Sequence, residues 1–311
     1  MIPPDVLDAI AAVGLDPAEV ARVVTTALAE DLSEGADVTT AATIAADQLG
    51  RAVAVPRQTG VVAGLPVAAL VFAIVSDGRV RIDIAVADGD IVEAGEPLLV
   101  ATGPVRDLLT AERTALNLLT HLSGVATTTR LWVTAVAGTR AQIRDTRKTM
   151  PGLRALEKYA VRCGGGINHR MSLSDAALIK DNHVHAAGSV TRAFELVRAA
   201  APGLPVEIEV DTPDQCAEAI AAGADLILLD NMSLPELRRC VQQAADADRP
   251  VRLEASGGLE LGNAAVVAGT GVDYLAVGAL THSAKVLDIG LDLADIDKPA
   301  GPRAPADDHA N

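Results

Sequence analysis

The chain has 311 residues, half of them apolar and 22% charged, which gives ample material for a core and excludes global disorder. Its formal net charge of −15 argues against a general nucleic-acid or anionic-membrane surface. Aromatic residues are confined to Phe72, Trp132, Tyr159, Phe194 and Tyr274, too few for a single-strand stacking platform. The core is therefore expected to consist mainly of Ala, Val, Leu and Ile.

The N-terminus, MIPPDVLDAI, lacks a positive leader region, so no signal peptide is expected. Asp16-Pro17 reads as an N-cap followed by proline at the first helical position, opening a helix that runs to about Leu32. The uncharged stretch from Gln58 to Ser76 is divided by Gly60, Gly64 and Pro66. It reads as a strand followed by a buried helix, not a membrane span. RVRIDIAVADGD alternates like a half-buried antiparallel strand, and DIVEAGEPLLVATG has the same strand-and-turn texture. A long helix is predicted from Val105 to about Val136, with Leu116, Leu119 and Leu122 on one face.

Beyond residue 140, short apolar runs recur, each ending in a charged or small polar residue: QIRDT, AALIKD, VEIEVD, LILLDN, VRLEAS and YLAVGA. LILL and YLAV are apolar on both faces, as buried parallel strands require. The rhythm suits successive βα units, in a (β/α) barrel or a doubly wound sheet. The tail, residues 298–311, is expected to be disordered. Cys163, Cys216 and Cys240 are odd in number and widely spaced, which argues against a disulfide framework or a cysteine zinc site. A reducing cytoplasm is the expected setting.

In both α/β architectures the active site lies at the carboxyl ends of the strands. That rule selects Arg144, Arg147 and Lys148; Lys180, Asp181 and Asn182; Glu209 and Asp211; Asp230 and Asn231; then Glu254, Ser256, Gly257, Gly258 and Gly278. Residues 140–180 hold nine Lys or Arg against three Asp or Glu, in a chain that is acidic overall. Arg154, Lys158 and Arg162, at i, i+4 and i+8, read as a solvated helix face. Arg147, Lys148, His169, Arg170 and Lys180 instead flank strand ends or the glycine-rich CGGGINHR, forming a basic wall for a substrate with more than one anionic group. Opposite it, Glu209 and Asp230 could hold ribose hydroxyls or Mg²⁺, and the ASGGL and VGA turns a phosphate. His183, His185 and His282 lack companions at metal-ligand spacing and read as residues that support site groups from behind or as packing residues.

Several segments carry a further resemblance: ALAEDL…DVTT, TAERTALNLLTHLSGVAT, RDTRKTMPGLRALEKYAVRCGGGINHR, LIKDNH, EIEVDT, LILLDNM, EASGGL and GVDYLAVGALTHS. In this order they resemble the quinolinate phosphoribosyltransferase family, over most of the chain. The resemblance implies an α/β fold: an N-terminal α/β sandwich domain, 1–117, and an incomplete (β/α) barrel, 118–282, with a segment at about 283–297 packing back on the first domain. It implies a homodimer with shared active sites, further assembly being left open, and no nucleic-acid or membrane partner.

The implied reaction is phosphoribosyl transfer from 5-phosphoribosyl 1-diphosphate to quinolinate with decarboxylation, giving nicotinate mononucleotide, CO2 and pyrophosphate. By the same resemblance Arg113 comes from the partner subunit, and Arg147, His169 and Arg170 surround the quinolinate carboxylates. Lys148 and Lys180 lie between acceptor and donor. Glu209 and Asp230 lie near the ribose and a Mg²⁺ held through the diphosphate, and Ser256, Gly257, Gly258, Val277, Gly278 and Ala279 form the 5′-phosphate loops. Lys148, Lys180, Glu209 and Asp230 are the implied catalytic set.

A Schiff-base aldolase using Lys180 leaves the arginines and both acids unexplained. A biotinyl- or lipoyl-type carrier, suggested by ADGDIVEAGEPLLV, fails because the first lysine in the chain is Lys148. A paralogue acting on another anionic acceptor is disfavoured by the intact arginine and histidine set.

Overall fold

The computed structural model describes residues 2–33 and 35–294. The expected disordered tail lies outside these residues. Contacts divide the described residues into two compact units, one formed by residues 2–33, 35–60, 64–120 and 287–294, the other by Val61–Ala63 and His121–Val286.

The first unit opens with α1 (Pro4–Ala12), α2 (Pro17–Leu32) and α3 (Val38–Thr43). The Asp16 carboxylate accepts from the Ala18 N–H and so caps α2 at the predicted position. There follow β1 (Leu49–Pro56), the short β2 (Gly60–Val61) and α4 (Leu65–Ser76). Every residue of α4 from Leu65 to Ala73 is buried. The Asp88 carboxylate receives the Gly64 and Leu65 N–H groups at 2.8 and 3.1 Å, satisfying donors that a buried helix start would otherwise strand. Then come β3 (Arg81–Ile84), β4 (Ile91–Val92) and β5 (Leu99–Pro104). The half-buried alternation expected of β3 is absent, since Arg81, Asp83 and Ile84 are all exposed. The long helix α5 (Val105–Ala135) passes from this unit into the second, with Leu116, Leu119 and Leu122 buried as predicted.

The second unit alternates strands and helices: β6 (Gln142–Arg144), α6 (Arg154–Cys163), β7 (Ala177–Ile179), α7 (Asp181–Ala187), α8 (Val190–Ala200), β8 (Val206–Val210), α9 (Pro213–Ala222), β9 (Leu226–Asp230), α10 (Leu234–Ala245), β10 (Arg252–Ser256), α11 (Ala264–Ala268), β11 (Tyr274–Ala276) and α12 (Ala279–His282). All six apolar runs form strands, in the order β6-β11-β10-β9-β8-β7 with parallel pairing. A doubly wound sheet reverses direction midway. Here sequence order runs in one sense from β7 to β11, which is barrel winding, and among the described residues β6 and β7 remain unpaired to each other. The barrel is incomplete.

The last described strand, β12 (Ile289–Ala294), pairs antiparallel with β1 in the first unit, from Arg51↔Ala294 to Pro56↔Ile289. Together β12, β1, β5 and β3 form its sheet. Residues 295–297 of the segment expected to pack there lie outside the described residues. No helix among the described residues is long and apolar enough to cross a membrane, and α4 is a buried helix as expected.

Candidate active site

The carboxyl ends of the barrel strands surround a cavity of about 750 Å³. Its lining includes Arg147, Lys148, His169, Arg170, Lys180, Glu209, Asp230, Glu254, Ser256, Gly257, Gly258, Val277, Gly278 and Ala279. Arg113 lies exposed on α5, in the first unit, and is not among the lining residues. Asp181, Asn182 and Asp211 also stay outside it. His282, read from sequence as packing, lines the cavity and hydrogen-bonds Ser283 at 2.6 Å. Thr146, Asn231 and Glu260 are further polar lining residues beyond the family set.

The cations are held from behind. Arg170 donates through Nη1 to the Ala176 carbonyl at 3.0 Å. Burial and the neighbouring Arg147 both push its guanidinium below the usual arginine range. The buried Nε of Arg147 has no hydrogen-bond partner. Two adjacent guanidinium groups with spare donors are a prepared seat for a multiply charged anion. The Lys148 N–H donates to Thr146, and its carbonyl accepts from Thr281 Oγ1 at 2.8 Å. A Cβ at position 278 would lie 2.9 Å from the Lys148 side chain and 3.2 Å from the His282 ring, so Gly278 leaves that space to them.

The division into a basic and an acidic wall is not clean, because Lys180 forms an ion pair with Glu209. Glu209 and Asp230 end neighbouring strands, and Asp230 accepts from the Asn231 side-chain amide at 2.8 Å. Asn231 takes a left-handed backbone at φ 53°, which Asn tolerates better than most residues. Beside it Gly257, at φ 82°, leaves no room for a Cβ, which would sit 2.2 Å from Asn231 Oδ1. Glycine lets the backbone of the β10 turn approach a ligand closely.

Beneath the cavity lies a buried ionic layer that sequence reasoning missed. Lys158 is fully buried and ion-paired with the fully buried Asp145, which corrects its reading as part of a solvated face. Helix α6 is covered on most sides, with Leu156 through Val161 all buried, so charge spacing alone could not identify its outer face. Arg162 on the same helix is exposed, as read, while Arg154 is only partly so and is tied to Thr149 and the Met171 carbonyl. Asp145 also receives the His169 N–H at 2.8 Å and the Asn168 amide at 2.6 Å, while Lys158 donates to the His169 carbonyl at 2.8 Å. Burial pushes the Asp145 carboxyl up and the Lys158 ammonium down, each opposed by its partner.

A second buried group joins Arg144, Glu207, Glu254 and His169. Arg144 pairs with Glu254 and stacks on the Tyr274 ring at 4.7 Å. Burial and the nearby Glu207 push the Glu254 carboxyl up to about 8, against the opposing pull of Arg144. His169, Glu207 and Glu254 offer donor atoms within 4.8 Å of one another. They suit a metal ion poorly, because Arg144 already supplies cationic charge and the hydrogen bond at His169 Nδ1 puts the ring's hydrogen on Nε2. A sequence signal for this layer exists. Glu207 stands two residues before Glu209 and Glu254 two before Ser256, and alternate strand residues share a face.

The comparisons agree with this geometry. The family profiles described as "Quinolinate phosphoribosyl transferase, N-terminal domain" and "C-terminal domain" match residues 37–123 and 125–292. The chain is 57% identical over 269 residues to the nicotinate-nucleotide pyrophosphorylase [carboxylating] of Mycobacterium leprae, covering 86% of this chain and 94% of that protein. It is 43% identical to the probable nicotinate-nucleotide pyrophosphorylase [carboxylating] of Bacillus subtilis, covering 85% of this chain and 90% of that protein. The crystal structure of NadC from Streptococcus pyogenes superposes with a TM-score of 0.84 at 41% identity, covering 90% of this chain and 99% of that one. The chain belongs to the quinolinate phosphoribosyl transferase family.

Proposed function

We propose that the chain transfers the phosphoribosyl group of 5-phosphoribosyl 1-diphosphate to quinolinate with decarboxylation, yielding nicotinate mononucleotide, CO2 and pyrophosphate for NAD biosynthesis. One observation carries this reading most. Arg147 and Arg170, whose guanidinium groups lie close enough to repel each other, share a cavity with Lys148, Lys180, two strand-end acids and two glycine turns. A dianionic acceptor and a phosphorylated sugar together fit that set.

The pyridine nitrogen attacks the anomeric carbon as its bond to the diphosphate breaks. The arginines hold the acceptor by its carboxylates so that the nitrogen faces that carbon. Lys148 and Lys180 stabilise charge gathering between acceptor and leaving group. The ring nitrogen, now cationic, stabilises the carbanion left when the adjacent carboxylate departs as CO2, and a proton then replaces it. Ser256, Gly257, Gly258 and Gly278 seat the 5′-phosphate. No protein nucleophile is needed.

Glu209 and Asp230 offer hard carboxylate oxygens at adjacent strand ends, which fits Mg²⁺ carried in on the diphosphate better than an all-protein cage. Glu209 and Asp230 would hold such an ion, which would supply neutralising charge for the diphosphate. The acids also suit the ribose hydroxyls.

The proposal extends to a homodimer in which the partner subunit's Arg113 completes each site. Mixing Arg113→Ala with Lys148→Ala chains, each nearly inactive alone, should then restore about a quarter of wild-type activity, because half the dimers are mixed and carry one intact site. Lack of recovery after verified subunit exchange would argue for self-contained sites. The functional reading itself is tested by product chromatography. Quinolinate should yield nicotinate mononucleotide, and nicotinate should be a far poorer acceptor.

A further inference from the structure

The side chain of His169 lines the cavity, yet both its nitrogens are turned toward the protein. Nδ1 accepts the Arg170 N–H at 2.7 Å, which leaves the ring hydrogen on Nε2. Nε2 lies 2.7 Å from Glu207 Oε2 and 3.6 Å from Glu254 Oε1; both carboxylates are buried, Glu254 at the cavity lining and Glu207 outside it. The 2.7 Å approach is a close polar contact rather than an aligned hydrogen bond, and neither Glu207 oxygen has another hydrogen-bond partner. Arg144 is 3.9 Å from Glu207 and already engaged by Glu254. A carboxylate only 3% exposed requires a donor, and the His169 ring approaches it to 2.7 Å.

We propose that Glu207 is a positioning residue for the acceptor site: it holds the His169 ring inward so that Nδ1 fixes the Arg170 backbone and aims the Arg170 guanidinium at an acceptor carboxylate. His169 then serves the acceptor through Arg170 instead of touching it through a ring N–H. This deepens the reading of quinolinate as acceptor and rests on it. Electrostatics alone would oppose having Glu207 here, since a buried negative charge under a dianion site weakens binding. Its presence is explained by geometry.

The two roles predict opposite signs. If Glu207 positions His169, Glu207→Ala, which removes the buried group facing Nε2, raises the quinolinate KM by about tenfold or more. The KM for 5-phosphoribosyl 1-diphosphate stays within about twofold. Glu207→Gln keeps an acceptor oxygen for Nε2–H and brings the quinolinate KM back to within about threefold of wild type. If only charge matters, both variants lower the quinolinate KM. That result, an unchanged KM in Glu207→Ala, or an equal rise in both KM values, overturns the proposal.

Should Glu207→Ala not fold, the tautomer of His169 in the wild-type chain decides, read by two-bond ¹H–¹⁵N NMR correlation. Hydrogen on Nε2 with bare Nδ1 supports the arrangement, and hydrogen on Nδ1 overturns it. A wild-type chain inactive on quinolinate would instead refute the functional reading, and the tautomer would still test the geometry.

Discussion

Lys158→Met is expected to destabilise the second unit by about 3–5 kcal/mol at neutral pH, a drop of roughly 10 °C in its unfolding midpoint. The change leaves Asp145 fully buried without its cation, keeping only the His169 and Asn168 donors. The Asp145 carboxyl already sits above its ordinary value because of burial, and losing Lys158 raises it further. A group whose folded pKa is raised favours the fold below its unfolded pKa and loses that contribution as pH rises through the folded value. The defect of Lys158→Met should therefore be largest at neutral pH and shrink toward acid. Adding Asp145→Asn should recover much of the loss, because a neutral pair removes the stranded charge. Thermal unfolding between pH 4 and 8 checks this, and a loss below about 1 kcal/mol would show that the pair is not stabilising as a unit. Asp145 also receives the N–H of His169, so the same pair anchors the chain entering the cationic part of the site.

Arg147→Ala and Arg170→Ala should each raise the quinolinate KM by about a hundredfold, corresponding to about 3 kcal/mol for a lost charge-assisted carboxylate contact. The KM for 5-phosphoribosyl 1-diphosphate should move by no more than a few-fold. Both arginines line the cavity, and the adjacent guanidinium groups repel each other until an anion arrives. Steady-state kinetics with each substrate varied in turn would show the split. A quinolinate KM unchanged in both variants would remove the arginines from the acceptor site.

The strands and the site they carry were legible in the chain for one physical reason. In a parallel barrel the functional groups collect where apolar runs end, so LILLDN and RLEAS mark both a strand and a piece of the site. Asp16 and Pro17 fixed the start of α2 by capping chemistry alone. What escaped was the layer beneath. Lys158 looked like one of three evenly spaced surface cations, and only the packing around α6 and the facing Asp145 make it a buried partner. Glu254 is among the strand-end candidates, whereas Glu207 is not; both fall inside strand runs, where the alternation with Glu209 and Ser256 puts them on the barrel's inner face. Their partners, Arg144 and His169, come from β6 and from the glycine-rich loop, and no local pattern announces pairing over such separations. Arg113 illustrates the opposite case. Its role rests on the resemblance, and its place on α5 does not by itself assign it to the cavity.

In the proposed reaction one cavity joins phosphoribosyl transfer to decarboxylation of a dicarboxylate. Its most direct test is to measure CO2 and pyrophosphate released together by the purified chain with quinolinate, 5-phosphoribosyl 1-diphosphate and Mg²⁺, with nicotinate in parallel. Equimolar CO2 and pyrophosphate are expected with quinolinate, and little pyrophosphate with nicotinate. Pyrophosphate without CO2, or no release from quinolinate by folded protein, would contradict that reaction.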